Sequence, residues 1–158
     1  MENSVDYFSL VEVDRKAETG GSYYALHFQR KSLGVEDLYE KIAFQYFLSD
    51  VGLYLIVLEN APYEGVSYKF YLLGKNQEVV DCMYLLCDDD EEFSFMENPR
   101  LVDNSFIFEK NGKKYKLTIN PAGRVEYRMG EIKQRSLTDF LKPRKFLSLS
   151  VQYSCEEC

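Results

Sequence analysis

The chain has 158 residues, 46% of them hydrophobic and 15% aromatic, which suits one globular domain with a sizeable core and excludes a disordered or low-complexity chain. We expect the domain to span residues 1–153 and residues 154–158 to form a flexible tail. The formal net charge is −7, no secretory leader is recognisable, and every apolar run is far shorter than the ~20 residues that cross a bilayer. These features predict a cytoplasmic protein with no membrane partner.

The first 50 residues predict a hairpin followed by a helix. Residues 5–13 and 22–30 have the composition of strands, and the loop between them ends in two glycines. Over residues 35–48, apolar side chains recur at spacings of three and four, and Asp37 lies in the first turn, where the helix dipole favours a carboxylate. We therefore expect one main α-helix here.

The middle of the chain predicts three strands. Residues 51–58, VGLYLIVL, are almost continuously apolar, which is typical of a strand covered on both faces. The predicted helix would supply one of these covers. Residues 66–73 and 79–87 follow as antiparallel strands separated by GKNQE.

The pair Asn111-Gly112 predicts a tight hairpin, because both central residues of a type I′ turn need positive φ. This turn fixes the register of the two strands and places their aromatic and aliphatic residues on one face. The expected pairs are Lys110 with Lys113, Glu109 with Lys114, Phe108 with Tyr115, and Phe106 with Leu117.

A second turn at residues 121–123, PAG, is expected to pair Asn120 with Arg124 and so to add a third strand. A basic outer face can bind nucleic acid. However, Phe106, Phe108, Tyr115 and Tyr127 are expected on the opposite face, and the net negative charge repels a polyanion, so nucleic acid is not the expected partner. The basic residues of the outer face are Lys114, Lys116, Arg124 and Arg128.

The end of the chain predicts a short helix and a final strand. Ser136 can cap a helical turn, Asp139 stands three residues later, and Pro143 ends it. Residues 146–153, FLSLSVQY, alternate apolar and polar side chains, as a half-buried strand does.

Together these elements predict an α+β, β-rich fold. We expect a curved antiparallel sheet or half-barrel of roughly six to nine strands, with the helix at residues 35–48 packed on one face. The sequence contains no internal repeat and no linker that would indicate a second domain.

No cofactor or metal site is expected. His27 is the only histidine and lacks a nucleophile in a recognisable motif, and no glycine-rich phosphate loop occurs. Cys155 and Cys158 have a spacing that suits zinc or redox chemistry. Cys82 and Cys87 would have to complete a zinc site, but at five residues apart in a strand they point to opposite faces. We therefore favour ordinary cysteines and a frayed tail.

Charge is distributed unevenly along the chain. Residues 1–109 hold 21 acids and 8 bases, whereas residues 110–145 hold 3 acids and 11 bases. Five consecutive carboxylates, here called the acidic run, follow the strand at 79–87, without the alternating ligands and the glycine of a calcium loop. The run is either a solvated loop or a rim that binds a basic partner. Its residues are Asp88, Asp89, Asp90, Glu91 and Glu92.

These observations favour a non-enzymatic cytoplasmic binding protein, either an acidic immunity-type inhibitor or a chaperone of a basic protein, with the acidic run at the rim and exposed aromatics as anchors. One alternative is a small-ligand-binding or hydrolytic domain with a cavity in the curved sheet. Another is a structural homo-oligomer in which acidic and basic segments of neighbouring copies associate.

Overall fold

Three antiparallel sheets, each built from strands consecutive in sequence, make up most of the computed structural model, which describes residues 4–62, 65–87 and 93–153. The N-terminal sheet contains β1 (Phe8–Lys16), β2 (Ser22–Phe28) and β3 (Lys31–Asp37). The central sheet contains β4 (Lys41–Leu48), β5 (Leu53–Asn60), β6 (Ser67–Leu73) and β7 (Val79–Leu85). The C-terminal sheet contains β8 (Glu97–Val102), β9 (Ser105–Lys110), β10 (Lys113–Arg124) and β11 (Lys145–Tyr153), in the order β11-β10-β9-β8.

The central sheet is packed on both faces, so that the three sheets form three layers. Val57 of β5 lies in a core with Phe108 of β9, whereas its neighbour Ile56 lies in a second core with Leu26 of β2. Because side chains alternate along a strand, each face of β5 serves one core. The prediction that residues 51–58 form a strand covered on both faces is confirmed, but both covers are sheets.

The predicted α+β fold, with a main helix on a curved sheet or half-barrel, is wrong. Strands account for 61% of the described residues and helices for 7%. The helical segments in the described part of the chain are the 3₁₀ helix Met129–Lys133 and the single-turn helix α1 (Leu137–Leu141). The layers are filled by aromatic and aliphatic side chains of facing sheets, which leaves no concave face for a helix to cover.

The helix predicted at residues 35–48 is in fact the end of β3, a short turn and the whole of β4. The apolar residues of this segment are spaced by three and four for two reasons. Two strands, each with its own alternating pattern, are joined across the turn, and a bulge lies between Ile42 and Phe44 in the pairing of β4 with β5. After that bulge, Phe44, Tyr46 and Leu48 alternate with period two. Pairing with the buried strand β5 therefore outweighs a local helical pattern.

The Asn111-Gly112 hairpin is confirmed in full. Both turn residues have positive φ, 51° and 72°, and the four predicted pairs between β9 and β10 are all present. The Phe108 and Tyr115 rings stack with centroids 5.1 Å apart in the core. Turn chemistry alone was sufficient to fix this register.

The three-residue turn predicted at 121–123 is wrong as a hairpin. Gly123 has the expected positive φ of 73°, but β10 continues to Arg124, which pairs with Lys145 of β11 across a bulge. β11 offers seven further consecutive pairs, from Lys113 with Tyr153 to Ile119 with Leu147. Only four residues separate Arg124 from the 3₁₀ helix, which is too few for a long strand. The nine-residue strand β11 pairs with β10 instead.

The short helix and the final strand predicted near the end of the chain are confirmed, whereas the predicted tail at 154–158 lies outside the described residues. Ser136 Oγ accepts a hydrogen bond from the Asp139 amide at 3.1 Å, which caps α1, and Pro143 follows the helix. β11 covers residues 145–153, as the alternating pattern indicated. Within the described ranges, neither helix has the length and apolar character that a membrane span requires.

Candidate binding surface

The acidic run, residues 88–92, lies outside the described residues, but the structure describes both of its flanks. Leu86 before the run is 55% exposed, and Phe93 and Phe95 after it are 54% and 47% exposed. The two phenylalanine rings meet edge to face, with centroids 5.2 Å apart. Large apolar side chains that are exposed to solvent therefore flank the five carboxylates on both sides in the sequence.

Hydrogen bonds hold the segment that carries these two phenylalanines. The Asn111 amide donates to Ser94 Oγ at 3.1 Å, and the Met96 amide donates to the hydroxyl of Tyr68 at 2.7 Å. Tyr68 is fully buried in β6 and donates in turn to Glu59 at 2.9 Å. The segment that carries Phe93 and Phe95 is thus held at the Ser94 side chain and at the Met96 amide, which lowers the entropy lost when such side chains bind a partner.

A groove of about 490 Å³ opens next to Leu86 and Cys87, between the central and C-terminal sheets. The Tyr84 amide of β7 donates to the Gln134 carbonyl at 2.7 Å and joins the two walls at one end. The described lining combines apolar and aromatic side chains with two lysines and contains no carboxylate. The lining residues are Tyr84, Leu85, Leu86, Cys87, Lys113, Tyr115, Gly130, Lys133, Gln134 and Val151.

A buried ionic cluster centred on Arg135 lies beyond the joined end of the groove. The Arg135 side chain is fully buried and forms an ion pair with Asp81 of β7. Its Nε donates to Glu131 at 3.1 Å, and its Nη2 donates to the Leu147 carbonyl at 2.7 Å. Glu131 also pairs with Arg124. One guanidinium therefore ties β7, the 3₁₀ helix and β11 together.

Asp81 completes the link between the two sheets. Its Oδ2 accepts the backbone amides of Phe146 and Leu147 at 2.7 and 2.8 Å, and its Oδ1 accepts the Cys82 amide at 2.8 Å. The carboxylate is 2% exposed and every lone pair faces a donor. This geometry assigns Asp81 to the architecture, because a carboxylate so fully bonded has no free face for a substrate.

Lys145 has the perturbed chemistry of a reactive lysine but not the access. Burial lowers its pKa, and the nearby Arg135 and Arg124 lower it further. Its Nζ lies 3.9 Å from the centroid of the Tyr127 ring and donates to the Lys142 carbonyl at 2.7 Å. Lys145 is 0% exposed and does not line the groove, so its ammonium packs α1 against β11.

A second polar cluster joins the central sheet to the end of β3. Lys69 pairs with Asp37, and the Tyr71 hydroxyl donates to the same carboxylate at 2.6 Å. Burial opposes the charge of Lys69, but Cys82, Asp37 and Tyr84 outweigh burial and raise its pKa. Burial raises the pKa of Cys82 to about 12 and also raises the pKa of Tyr71. At neutral pH the lysine is charged and the thiol protonated, so neither is an active base or nucleophile.

The predicted basic face is divided by the structure. Lys114 and Lys116 are exposed on β10, whereas Arg124 belongs to the buried cluster and Arg128 pairs with Glu126. Phe106, Phe108 and Tyr115 are in the core as expected, but Tyr127 is 51% exposed.

The candidate metal residues do not converge in the described part of the chain. Cys155 and Cys158 lie outside it, Cys82 is buried and Cys87 half-buried, and His27 lies half-buried in β2. Among the described residues, no three His, Cys, Asp or Glu side chains are grouped as metal ligands.

Sequence reasoning missed the Arg135 cluster, although one signal was present. Asp81 stands in the middle of the apolar stretch VVDCMYLL, and a carboxylate at such a position must have a buried partner. Nothing in the sequence around Arg135 identifies it as that partner. Comparisons with protein-family models, with curated proteins and with solved structures found no match.

Proposed function

We propose that this chain is a non-enzymatic binding protein that neutralises or escorts a basic protein partner, as an immunity-type inhibitor or a chaperone does. The partner docks on the acidic run, with Leu86, Phe93 and Phe95 as apolar anchors. Carboxylates at the rim attract and orient a basic partner, and the anchors supply the buried area.

The exposed Phe93–Phe95 pair is the observation that carries this proposal. Two phenylalanines that are about half exposed flank the five carboxylates on one side in the sequence and an exposed leucine flanks them on the other, which supports apolar anchors beside a charged rim. A monomer gains nothing from keeping such rings in water, because burying the exposed half of each would stabilise it by on the order of 1 kcal/mol. Their hydrogen-bonded backbone favours a role that requires this display.

The state of the buried ionisable groups supports binding over catalysis. The thiol of Cys82 and the hydroxyl of Tyr71 keep their protons at neutral pH, and Asp81 and Arg135 are engaged with each other and with the backbone. The described residues that line the groove are two lysines with apolar, aromatic and amide side chains, and do not include a carboxylate pair of the kind that hydrolysis uses. We place the activity in the cytoplasm, where Cys82 and Cys87 would stay reduced.

The test is capture of partners from the native host with the wild-type chain, followed by measurement of affinity for the purified, identified partner. A charge variant, Asp88→Asn, Asp89→Asn, Asp90→Asn, Glu91→Gln and Glu92→Gln, removes the acidic run. Its matched control changes three Asp and two Glu that are exposed elsewhere, and therefore alters the net charge equally. The control substitutions are Asp6→Asn, Asp14→Asn, Asp50→Asn, Glu18→Gln and Glu40→Gln.

We expect a basic partner whose affinity falls on the order of tenfold or more in the charge variant and much less in the control. A second variant, Phe93→Ser with Phe95→Ser, should weaken binding mainly through faster dissociation. Its control is Val125→Ser with Leu137→Ser, which removes two apolar side chains that are even more exposed and lie elsewhere in the sequence. Equal affinity for the charge variant and its control would show that the acidic run is not the site.

A further inference from the structure

The outer edge of β11 exposes backbone groups whose direction follows from the register. The Leu147 amide donates to Asp81 and its carbonyl accepts from Arg135, so both point away from β10. The direction of the backbone amide and carbonyl groups alternates from one residue of a strand to the next. The backbone groups of Leu149 and Val151 therefore also point away from β10.

The hairpin that joins β9 to β10 independently gives the same alternation of inward-pointing and outward-pointing backbone groups along β11. Lys110 and Lys113 flank a two-residue turn and so exchange hydrogen bonds. By alternation, Tyr115 bonds to β9, whereas Lys114 and Lys116 bond to β11, where they face Gln152 and Ser150. The amides and carbonyls of Leu149 and Val151 consequently have no partner among the described residues.

The other edge strands in the described part of the chain are protected. β1 and β3 carry charged side chains and register shifts, and β8 contains Pro99 and a bulge. The backbone before β1 donates a hydrogen bond to the Gln45 carbonyl at the edge of β4. At the edge of β7, the Tyr84 amide donates to the Gln134 carbonyl. These are the devices by which proteins prevent association through sheet edges.

β11 lacks these devices beyond Leu147. Its pairing with β10 is uninterrupted from residue 147 to residue 153, and residues 146–153 contain no charge and no proline. Val151 is 38% exposed and lines the groove, so the edge borders a solvent-filled space at this point.

We propose that two copies of the chain associate through the free edge of β11, antiparallel and across a two-fold axis. Pairing Leu149 with Val151 of the second copy would form about four backbone hydrogen bonds and join two C-terminal sheets into one. The uncharged edge favours a second copy as the occupant. In a two-fold pairing each side chain lies near its own counterpart, and any charge in the strand would meet its like.

The charge of the chain gives this association a distinctive salt dependence. Each copy carries −7, so the two copies repel each other, and salt should strengthen the pairing of an uncharged edge by screening that repulsion. Association of acidic with basic segments would instead be weakened by salt.

Analytical ultracentrifugation from about 10 µM to about 1 mM chain tests the proposal. The wild-type mass should rise with concentration from 18.5 kDa toward about twice that value, and more readily at about 1 M than at about 0.1 M salt. Val151→Pro removes one outward amide without touching the bonds to β10, and Val151→Lys places a charge at the edge. Both should stay at 18.5 kDa, whereas Val151→Thr should associate like wild type.

A wild-type mass of 18.5 kDa at every concentration and salt overturns the proposal, even if a foreign extended peptide is found on the edge. So does dissociation by salt, or association of Val151→Lys equal to that of wild type. Circular dichroism verifies that each variant is folded. If Val151→Pro does not fold, the association measured for Val151→Lys decides the outcome. The charge variant of the acidic run should associate at least as well as wild type, which separates this outcome from the proposed function.

Discussion

Replacing Arg135 with methionine removes the guanidinium that joins Asp81 to Glu131. Methionine fills a similar volume without charge, so the main consequence is electrostatic. Asp81 is 2% exposed and Glu131 5%, and each would keep a negative charge in the interior with fewer donors. The Leu147 carbonyl would also lose the Arg135 donor that bonds it at 2.7 Å.

The expected loss is about 3–5 kcal/mol, the range seen when one partner of a buried ion pair is removed. Since a domain of this kind has about 5–15 kcal/mol in total, the variant should unfold at a much lower denaturant concentration. Arg135→Lys retains the charge but cannot reach both carboxylates and the carbonyl, and should lose on the order of 1–3 kcal/mol. The double variant Arg135→Met with Asp81→Asn should lose less than the sum of its single variants.

Urea unfolding followed by circular dichroism and tyrosine fluorescence measures these differences in a chain without tryptophan. Arg128→Met is the control, because Arg128 makes an exposed ion pair with Glu126 that should contribute no more than about 1 kcal/mol. If Arg135→Met is as stable as Arg128→Met, the cluster does not hold the two sheets together.

Two further perturbations follow from the same structure. The pKa of Cys82 is raised from 9.0 to about 12, so the unfolded chain releases this proton first and stability is present below pH 9 and lost as pH rises through 12. Cys82→Ala should therefore reduce the loss of unfolding free energy between pH 9 and 11 by up to about 1.4 kcal/mol per pH unit, and equal slopes in urea titrations would refute this. Gly123→Ala adds a Cβ at φ 73°, 2.4 Å from Arg144 Cγ, and should lower the free energy of unfolding by about 1–2 kcal/mol. An unchanged urea midpoint would show that the bulge in β10 does not need glycine.

Local chemistry was sufficient for prediction where the decisive interactions are close in sequence. Asn111 and Gly112 fix a register through their own φ angles, and Ser136 caps α1 through an amide three residues away. Both features can be derived without knowing what else lies nearby.

Prediction failed where distant segments compete for the same strand. The spacing in residues 35–48 is compatible with a helix, and only the presence of β5 as a partner makes β4 a strand. In the same way, β10 pairs with β11 and not with the residues after Gly123. The Asp81–Arg135 pair spans 54 residues, so the sequence indicated that Asp81 needs a partner but not which one.

The uneven distribution of charge along the chain is bridged by a buried ion pair in the described part of the structure. Among ion pairs of described residues, Asp81–Arg135 joins residues 1–109 to residues 110–145, while others, such as Lys69–Asp37 and Arg124–Glu131, stay within one segment.

This asymmetry makes salt the variable that separates the two proposed surfaces. Binding of a basic protein at the acidic run relies on attraction between opposite charges, which screening weakens. Pairing of two copies at β11 brings like net charges together through an uncharged strand, and screening strengthens it. As the salt concentration rises, the chain should therefore release its basic protein partner and associate more strongly with a second copy of itself. Neither a single charged interface nor a solvated acidic loop would produce both effects.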